Sequence, residues 1–219
     1  MTTARRTRIQ IRNETAILEN AQRVFATHGF RGATMEAIAA LAGMSQPNLH
    51  NYFRTKAELY QAVLERTLDI WLEPIGGLDP DGEPGDELRL YVNRKLEMSR
   101  QFPEASRVFA QDMLEGASVL SPHLSGRVRE KALAFAAIVN GWIAAGKFRP
   151  VNPLHLLFFL WGATQHYADF APQVRAVLDI PKLGRLQFTE AEETFATILF
   201  GGLLMPKPNQ AVLDDSVIK

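Results

Sequence analysis

Residues 45–56 read SQPNLHNYFRTK, a short run rich in side chains that recognise other molecules. Gln46, Asn48, His50 and Asn51 offer amide and imidazole donors and acceptors, the groups that pair with base edges in the major groove of DNA. On a helix they fall on the outer side, with Leu49 and Phe53 turned inward. Tyr52 and Lys56 close the run, where a hydroxyl and an ammonium meet phosphate oxygens. A second group lies far along the chain. Trp161, Gln165 and His166 stand at i, i+4 and i+5 of an apolar segment, and Trp71 ends another helix. A buried amide beside indoles packs badly unless something satisfies it. A flat ligand with donors and acceptors on its edge does so, because indole faces stack on it and Gln165 offers N–H and C=O together. Met98, Ser99, Phe102, Met113 and Phe158 are further lining candidates. On spacing alone, an ordinary core with Gln165 bonded to backbone accounts for the same residues.

The first group needs a scaffold, and residues 12–60 supply one. Ile17, Ala21, Val24 and Phe25 recur at i, i+4, i+7 and i+8, the buried stripe of a helix that Gly29 stops. Thr34 is placed to cap a second helix carrying Met35, Ile38, Ala39 and Ala42, and Gly43 breaks it. Ser45 caps a short third helix with Pro47 in its first turn, where a missing N–H is harmless. Residues 34–53 thus predict a helix-turn-helix, a pair that lays its second helix in the major groove. The Thr34 hydroxyl and the amides of the second helix's N-terminus are placed for another phosphate. A plain helical hairpin in a core is the bland alternative, but the third helix is too polar for one.

Charge supports the DNA reading. The 219-residue chain carries 24 Lys+Arg and 24 Asp+Glu. Residues 1–56 hold eight basic residues, Arg5 and Arg6 among them, and three acidic ones. A basic head on an acidic body suggests a polyanion-binding module with something attached.

The remainder also reads as helices. Thr55-Lys56-Ala57-Glu58 forms a capping box in which Glu58 reaches back to the Thr55 amide. It opens a long helix with Leu59, Val63, Leu64, Leu68 and Trp71 on one face, ended by Pro74–Gly77. Residues 76–86 are rich in Gly, Pro and Asp and predict an exposed loop. Further helices are expected near 86–101, 104–116, 122–146, 153–171 and 189–204, the last opened by a second capping box at Thr189–Glu192. The fold class is therefore all-α. An N-terminal three-helix DNA-binding domain over 1–57 precedes a helical ligand-binding and dimerisation domain over 58–205, and a disordered tail over 206–219 follows.

Geometry asks for a dimer. One short reading helix covers only a few base pairs, and two half-sites lie about 34–36 Å apart. A C2 homodimer meets that need. The helices at 153–171 and 189–204 are the interface candidates, since the first is apolar around most of its circumference and must be covered on all sides. Gly201-Gly202 permits close backbone approach.

Residues 12–60 resemble the N-terminal domain of TetR-family regulators. The pattern is Ile17, Phe25, Gly29-Phe30, Thr34, Ile38-Ala39, Ala42-Gly43-Met44-Ser45, Leu49, Tyr52-Phe53, Lys56 and Leu59. Where many relatives carry tyrosine this chain has His50, an imidazole that reads a base or caps the helix. The runs LDIWL (68–72), KLEMSR (95–100), PEASR (103–107) and WGATQHYADFAPQV (161–174) are similar to the branch of that family that governs pyrimidine utilisation. The similarity runs from about residue 14 to 178. It implies a repressor-type regulator that responds to uracil or thymine, with Trp71, Trp161 and Gln165 contacting the base. A relative sensing another small aromatic or acidic metabolite is the alternative.

Other classes find little support. The chain has no cysteine, and no GxSxG, P-loop or HExxH, so no catalytic residues, metal or cofactor are expected. The histidines are scattered. The start lacks an apolar leader, and the run 154–161 is far shorter than the roughly 20 residues of a membrane span, so a cytoplasmic protein without membrane contact is expected.

Overall fold

A computed structural model of the protein describes residues 8–204. Arg5 and Arg6 of the basic head and the expected tail over 206–219 lie outside the described residues.

Eleven α-helices make up most of the described chain, and an isolated bridge between Phe148 and Leu204 is the extended pairing among these residues. The head comprises α1 (Arg8–Gly32), α2 (Met35–Leu41) and α3 (Gln46–His50). Helix α4 (Lys56–Gly76) leads into the body, followed by α5 (Pro84–Gln101), α6 (Pro103–Leu114), α7 (Ser121–His123) and a π-helical turn (Leu124–Val128). The chain then forms α8 (Arg129–Ala144), α9 (Pro153–Asp169), α10 (Ala171–Leu178) and α11 (Arg185–Leu203).

The caps of the head are local chemistry. The Thr34 hydroxyl accepts from the Ala37 amide at 3.1 Å, Ser45 from Asn48 at 3.4 Å and Thr55 from Glu58 at 3.1 Å. Each such cap contributes about 1 kcal/mol. Gly29 departs from the expectation in part. Its backbone (φ 66°, ψ 176°) breaks α1, yet the chain takes one more turn to Gly32. Glu58 also differs, reaching one residue further back to accept from the Arg54 amide at 2.9 Å.

The hydrophobic core runs without interruption from head to body. In the head it joins Ile17, Phe25, Ile38, Leu49, Leu59 and Leu64. In the body it joins Leu88, Tyr91, Phe135, Trp142, Leu157 and Leu199. Helix α6 packs against α1, α4 and α9, so the head rests on the body through more than its covalent link. Trp142 Nε1 donates to the Pro80 carbonyl at 3.0 Å and pins the loop before α5.

Three boundaries differ from the sequence expectation, each for a physical reason. The segment 122–146 is not one helix: α7, the π-helical turn and α8 share it. Ala171-Pro172 does not end the helical run but starts α10, because proline is tolerated in a first turn. The last helix starts at Arg185 rather than Thr189, with the Gly184 amide donating to Gln187 Oε1 at 2.9 Å. Thr189 and Glu192 therefore lie inside α11, and Glu192 accepts from Asn93 Nδ2 at 2.7 Å, tying α11 to α5.

Candidate DNA interface and effector cavity

Helix α3 presents the side chains its sequence promised. Leu49 is fully buried and Phe53 nearly so, which fixes the face turned outward. Gln46, Asn48, His50 and Asn51 are all exposed on that face. Asn48, Asn51 and Tyr52 line an open cleft of about 330 Å³ with Gln10 and Glu14 of α1. His50 Nδ1 lies 3.1 Å from the Arg54 carbonyl. A carbonyl only accepts, so Nδ1 carries the proton. Nε2 is then the acceptor of the neutral ring, and Gln46 Nε2 stands 3.5 Å from it. Tyr52 accepts from Asn13 Nδ2 at 3.0 Å and keeps its own O–H to donate.

Lys56 has a structural task that its sequence position did not reveal. Its ammonium donates to the Ala33 carbonyl at 2.8 Å and the Arg31 carbonyl at 3.4 Å, and lies 4.7 Å from the Phe30 ring centroid. These contacts satisfy carbonyls at the end of α1. One N–H of the three remains for a phosphate.

From the head, α4 rises into the body as a rod. Lys56 and Trp71 are fifteen residues apart, about 22 Å along the axis. Arg66 anchors the rod to α1 by an ion pair with Glu19 at 3.2 Å and a bond to the Thr15 carbonyl at 3.4 Å. Beyond that point Leu68, Trp71 and Leu72 of α4 line a cavity of about 40 Å³. Its other walls are Lys95 of α5, Phe109 of α6, Val128 of the π-helical turn, and Trp161 and Gln165 of α9. The volume suits a water molecule or two, each taking roughly 30 Å³. A ligand larger than that requires the walls to part.

Polarity within the cavity is uneven. Trp161 Nε1 donates to the Tyr91 hydroxyl at 2.8 Å, and burial raises the Tyr91 pKa far enough to keep that hydroxyl protonated. Trp71, only 5% exposed, has its Nε1–H buried without an acceptor. Lys95 is fully buried with Nζ 4.6 Å from the Trp71 ring centroid. Burial pushes its pKa down to about 7, and the charge of Asp169 works in the opposite direction. Asp169 accepts from the Ser106 hydroxyl, and burial raises its own carboxyl.

The sequence-derived ligand set divides here. Trp71, Trp161 and Gln165 meet at the cavity. Ser99, Met113 and Phe158 do not line it. The Ser99 hydroxyl is spent on the Thr164 carbonyl at 2.9 Å, clamping α5 to α9. Met113 packs half-buried against the core, and Phe158 is 54% exposed with its ring 6.0 Å from that of Trp161. Lys95, Phe109 and Val128 take their places. Lys95 was findable: Leu88, Val92, Lys95 and Ser99 stand at i, i+4, i+7 and i+11, the buried stripe of α5.

Comparison with known proteins decides the family. A model of the tetR family of bacterial regulatory proteins matches residues 17–63, and a model of the C-terminal region of YcdC-like proteins matches 64–206. The chain is a TetR-family transcriptional regulator. It is 41% identical to the HTH-type transcriptional regulator RutR of Escherichia coli strain K12, over 92% of this chain and 95% of that one. That span is longer than the residues 14–178 expected from sequence runs. The HTH-type transcriptional repressor SCO4008 of Streptomyces coelicolor is 30% identical over 74% of this chain and 81% of its own. Among solved structures, AibR in complex with isovaleryl coenzyme A and operator DNA superposes with a TM-score of 0.66 at 19% identity, covering 86% of this chain and 98% of that one. The Streptomyces coelicolor regulator SCO4942 gives 0.69 at 22% identity, over 89% and 99%. As a TetR-family regulator and RutR homologue, this chain has its helix-turn-helix in α2 and α3, and its function is to bind DNA in the control of transcription.

Proposed function

We propose that this TetR-family regulator binds operator DNA as a homodimer in the cytoplasm and releases it when a pyrimidine base, uracil or thymine, enters the cavity at Trp71. One observation carries the reading: two indoles and an amide from helices ninety residues apart in sequence converge on one cavity, and the helix contributing Trp71 is the rod of the DNA head. Similarity to RutR supports a pyrimidine as the occupant.

Within this reading the head spans 1–57 and the sensing and dimerising body 58–205. Gln46, Asn48, His50 and Asn51 read base edges, while Thr34, Tyr52 and Lys56 hold phosphates. The second copy covers the outer faces of α9 and α11, where Phe159 and Ile198 are 51% and 58% exposed. Gly201 and Gly202 have open space around them, leaving room for a partner backbone.

The base enters between Trp71 and Trp161 and forces the walls apart. Because α4 is anchored to α1, a change in its tilt re-aims the head, and the half-site spacing of the dimer no longer fits the operator. The ligand shifts this equilibrium only by its differential affinity for the two states, typically about 1–3 kcal/mol. Calorimetry with and without operator tests the scheme. Uracil or thymine binds free protein at least about fivefold more tightly than the operator complex. Equal affinities, or a melting shift no larger than with unrelated aromatics, contradict it. Gln165→Leu removes the pyrimidine response.

A further inference from the structure

Both ring nitrogens of His50 are engaged, and their roles run one way. Nδ1–H donates to the Arg54 carbonyl at 3.1 Å, which leaves Nε2 as an acceptor facing Gln46 Nε2 at 3.5 Å. The Arg54 peptide is itself held, because its amide donates to Glu58 Oε2 at 2.9 Å in the first turn of α4. A chain of donors thus runs from Gln46 through His50 to Arg54. Its outer link is long, so it biases the Gln46 amide rather than locking it. Gln46 is the first residue of α3, and the N-terminal residues of a recognition helix are the ones that meet base edges. Gln46 and His50 are both exposed, so neither is a core contact.

We propose that His50 is a positioning residue that sets the orientation of the Gln46 amide and so makes it select adenine over guanine. The inference rests on the operator-binding reading and states how His50 takes part in base reading there. A free carboxamide has two useful edges. Its C=O and one N–H together match the N6–H2 donor and N7 acceptor of adenine. Its two N–H groups together match the N7 and O6 acceptors of guanine. With one N–H turned to His50 Nε2 the second edge is closed, and Oε1 with the other N–H remains for the groove. Reversal of the amide is opposed too, since it would set Oε1 against the Nε2 lone pair. The tyrosine that many relatives carry at this position has a single polar atom at the ring tip. It cannot hold the Arg54 carbonyl at one point and receive Gln46 at another. Discrimination follows because an acceptor set against an acceptor in a closed interface leaves both unpaired.

The test first selects an operator from random duplex DNA with the full-length protein. Fluorescence anisotropy then measures binding to a panel in which each half-site base pair is replaced in turn. The position whose preference disappears in Gln46→Ala is the one Gln46 reads. There the wild type prefers adenine over guanine by at least about tenfold, and His50→Phe and His50→Tyr each reduce that ratio to about threefold or less. Preferences at other positions and the salt slope stay as in the wild type, and the His50 changes add nothing in the Gln46→Ala background. Circular dichroism and melting temperature report on folding of the variants. If the His50 variants weaken binding to every sequence alike and keep the ratio, His50 only caps the helix and the inference fails, while the operator reading stands. A preference lost at a different position makes His50 a reader in its own right and overturns the inference. A wild-type preference for guanine or a pyrimidine where Gln46 reads overturns it as well. If no sequence is enriched, the operator reading fails and takes the inference with it.

Discussion

Arg127 is ion-paired with Asp69, joining the π-helical turn to the rod one residue before Val128 closes the cavity wall. One turn earlier on α4, Glu65 meets His123 Nε2 at 3.3 Å. The segment 123–128 therefore touches the rod on one side and the cavity on the other. π-Helical turns are frequent at functional sites. Here Val128, the last residue of the turn, lines the cavity.

Breaking this contact separates coupling from stability. Asp69 and Arg127 are 62% and 47% exposed, so the pair contributes no more than about 1 kcal/mol. Arg127→Ala is expected to shift the denaturant midpoint little. The ratio of ligand affinities with and without operator should fall, because the wall then parts without dragging α4. A ratio equal to that of the wild type places the transmission elsewhere.

Gly29 sets where the head turns. Its φ of 66° and ψ of 176° lie in a region that essentially only glycine populates, although a Cβ there would meet nothing within 4 Å. Gly29→Ala is therefore a test of backbone strain free of steric clash. The expected loss is about 1–3 kcal/mol in chemical denaturation, with weaker operator binding as the turn relaxes. Unchanged stability would mean that the turn tolerates a second conformation.

The head was largely legible in its sequence because its determinants are local. Thr34, Ser45 and Thr55 each cap the helix that starts one residue later, and a cap needs only the next three residues. Resemblance brings Trp71, Trp161 and Gln165 together; spacing alone fits an ordinary core as well as a ligand site. What stayed hidden depends on tertiary packing. Lys95 sits in RLYVNRKLEMSR, where a lysine among charges reads as solvated unless its place on the stripe of Leu88, Val92 and Ser99 is weighed, and the packing of α4 and α9 onto α5 buries it. Ser99 looked like a ligand contact because its partner, the Thr164 carbonyl, is 65 residues away. Gly184 is masked in the sequence because Thr189–Glu192 copies a capping box inside a helix already under way.

Lys56→Ala divides two roles. Loss of the bonds to Ala33 and Arg31 lowers stability by about 1–3 kcal/mol, as for hydrogen bonds to a charged group. If the remaining N–H holds a phosphate, operator affinity falls across all sequences and the salt slope drops by about one. Electrophoretic shifts over a series of salt concentrations read the slope. A slope equal to that of the wild type restricts Lys56 to holding the end of α1.

The buried ammonium leaves a signature in the pH dependence of stability. Lys95 has a pKa near 7 in the folded protein and about 10.5 once unfolded. Below pH 7 both states hold the proton, and the cost of burying the charge is paid in full. Between about 7 and 10.5 the unfolded chain binds more protons than the folded one, so stability rises with pH. Asp169, whose carboxyl is raised by burial, tilts the acid side the other way, since its folded form holds a proton that the unfolded form has released. Lys95→Met removes the alkaline slope. The melting temperature of the wild type should therefore climb from pH 7 to pH 9 relative to the variant, and the variant should be the more stable of the two at pH 7. Parallel profiles would mean that Asp169 holds Lys95 charged throughout, with the ammonium paired rather than free to serve a ligand.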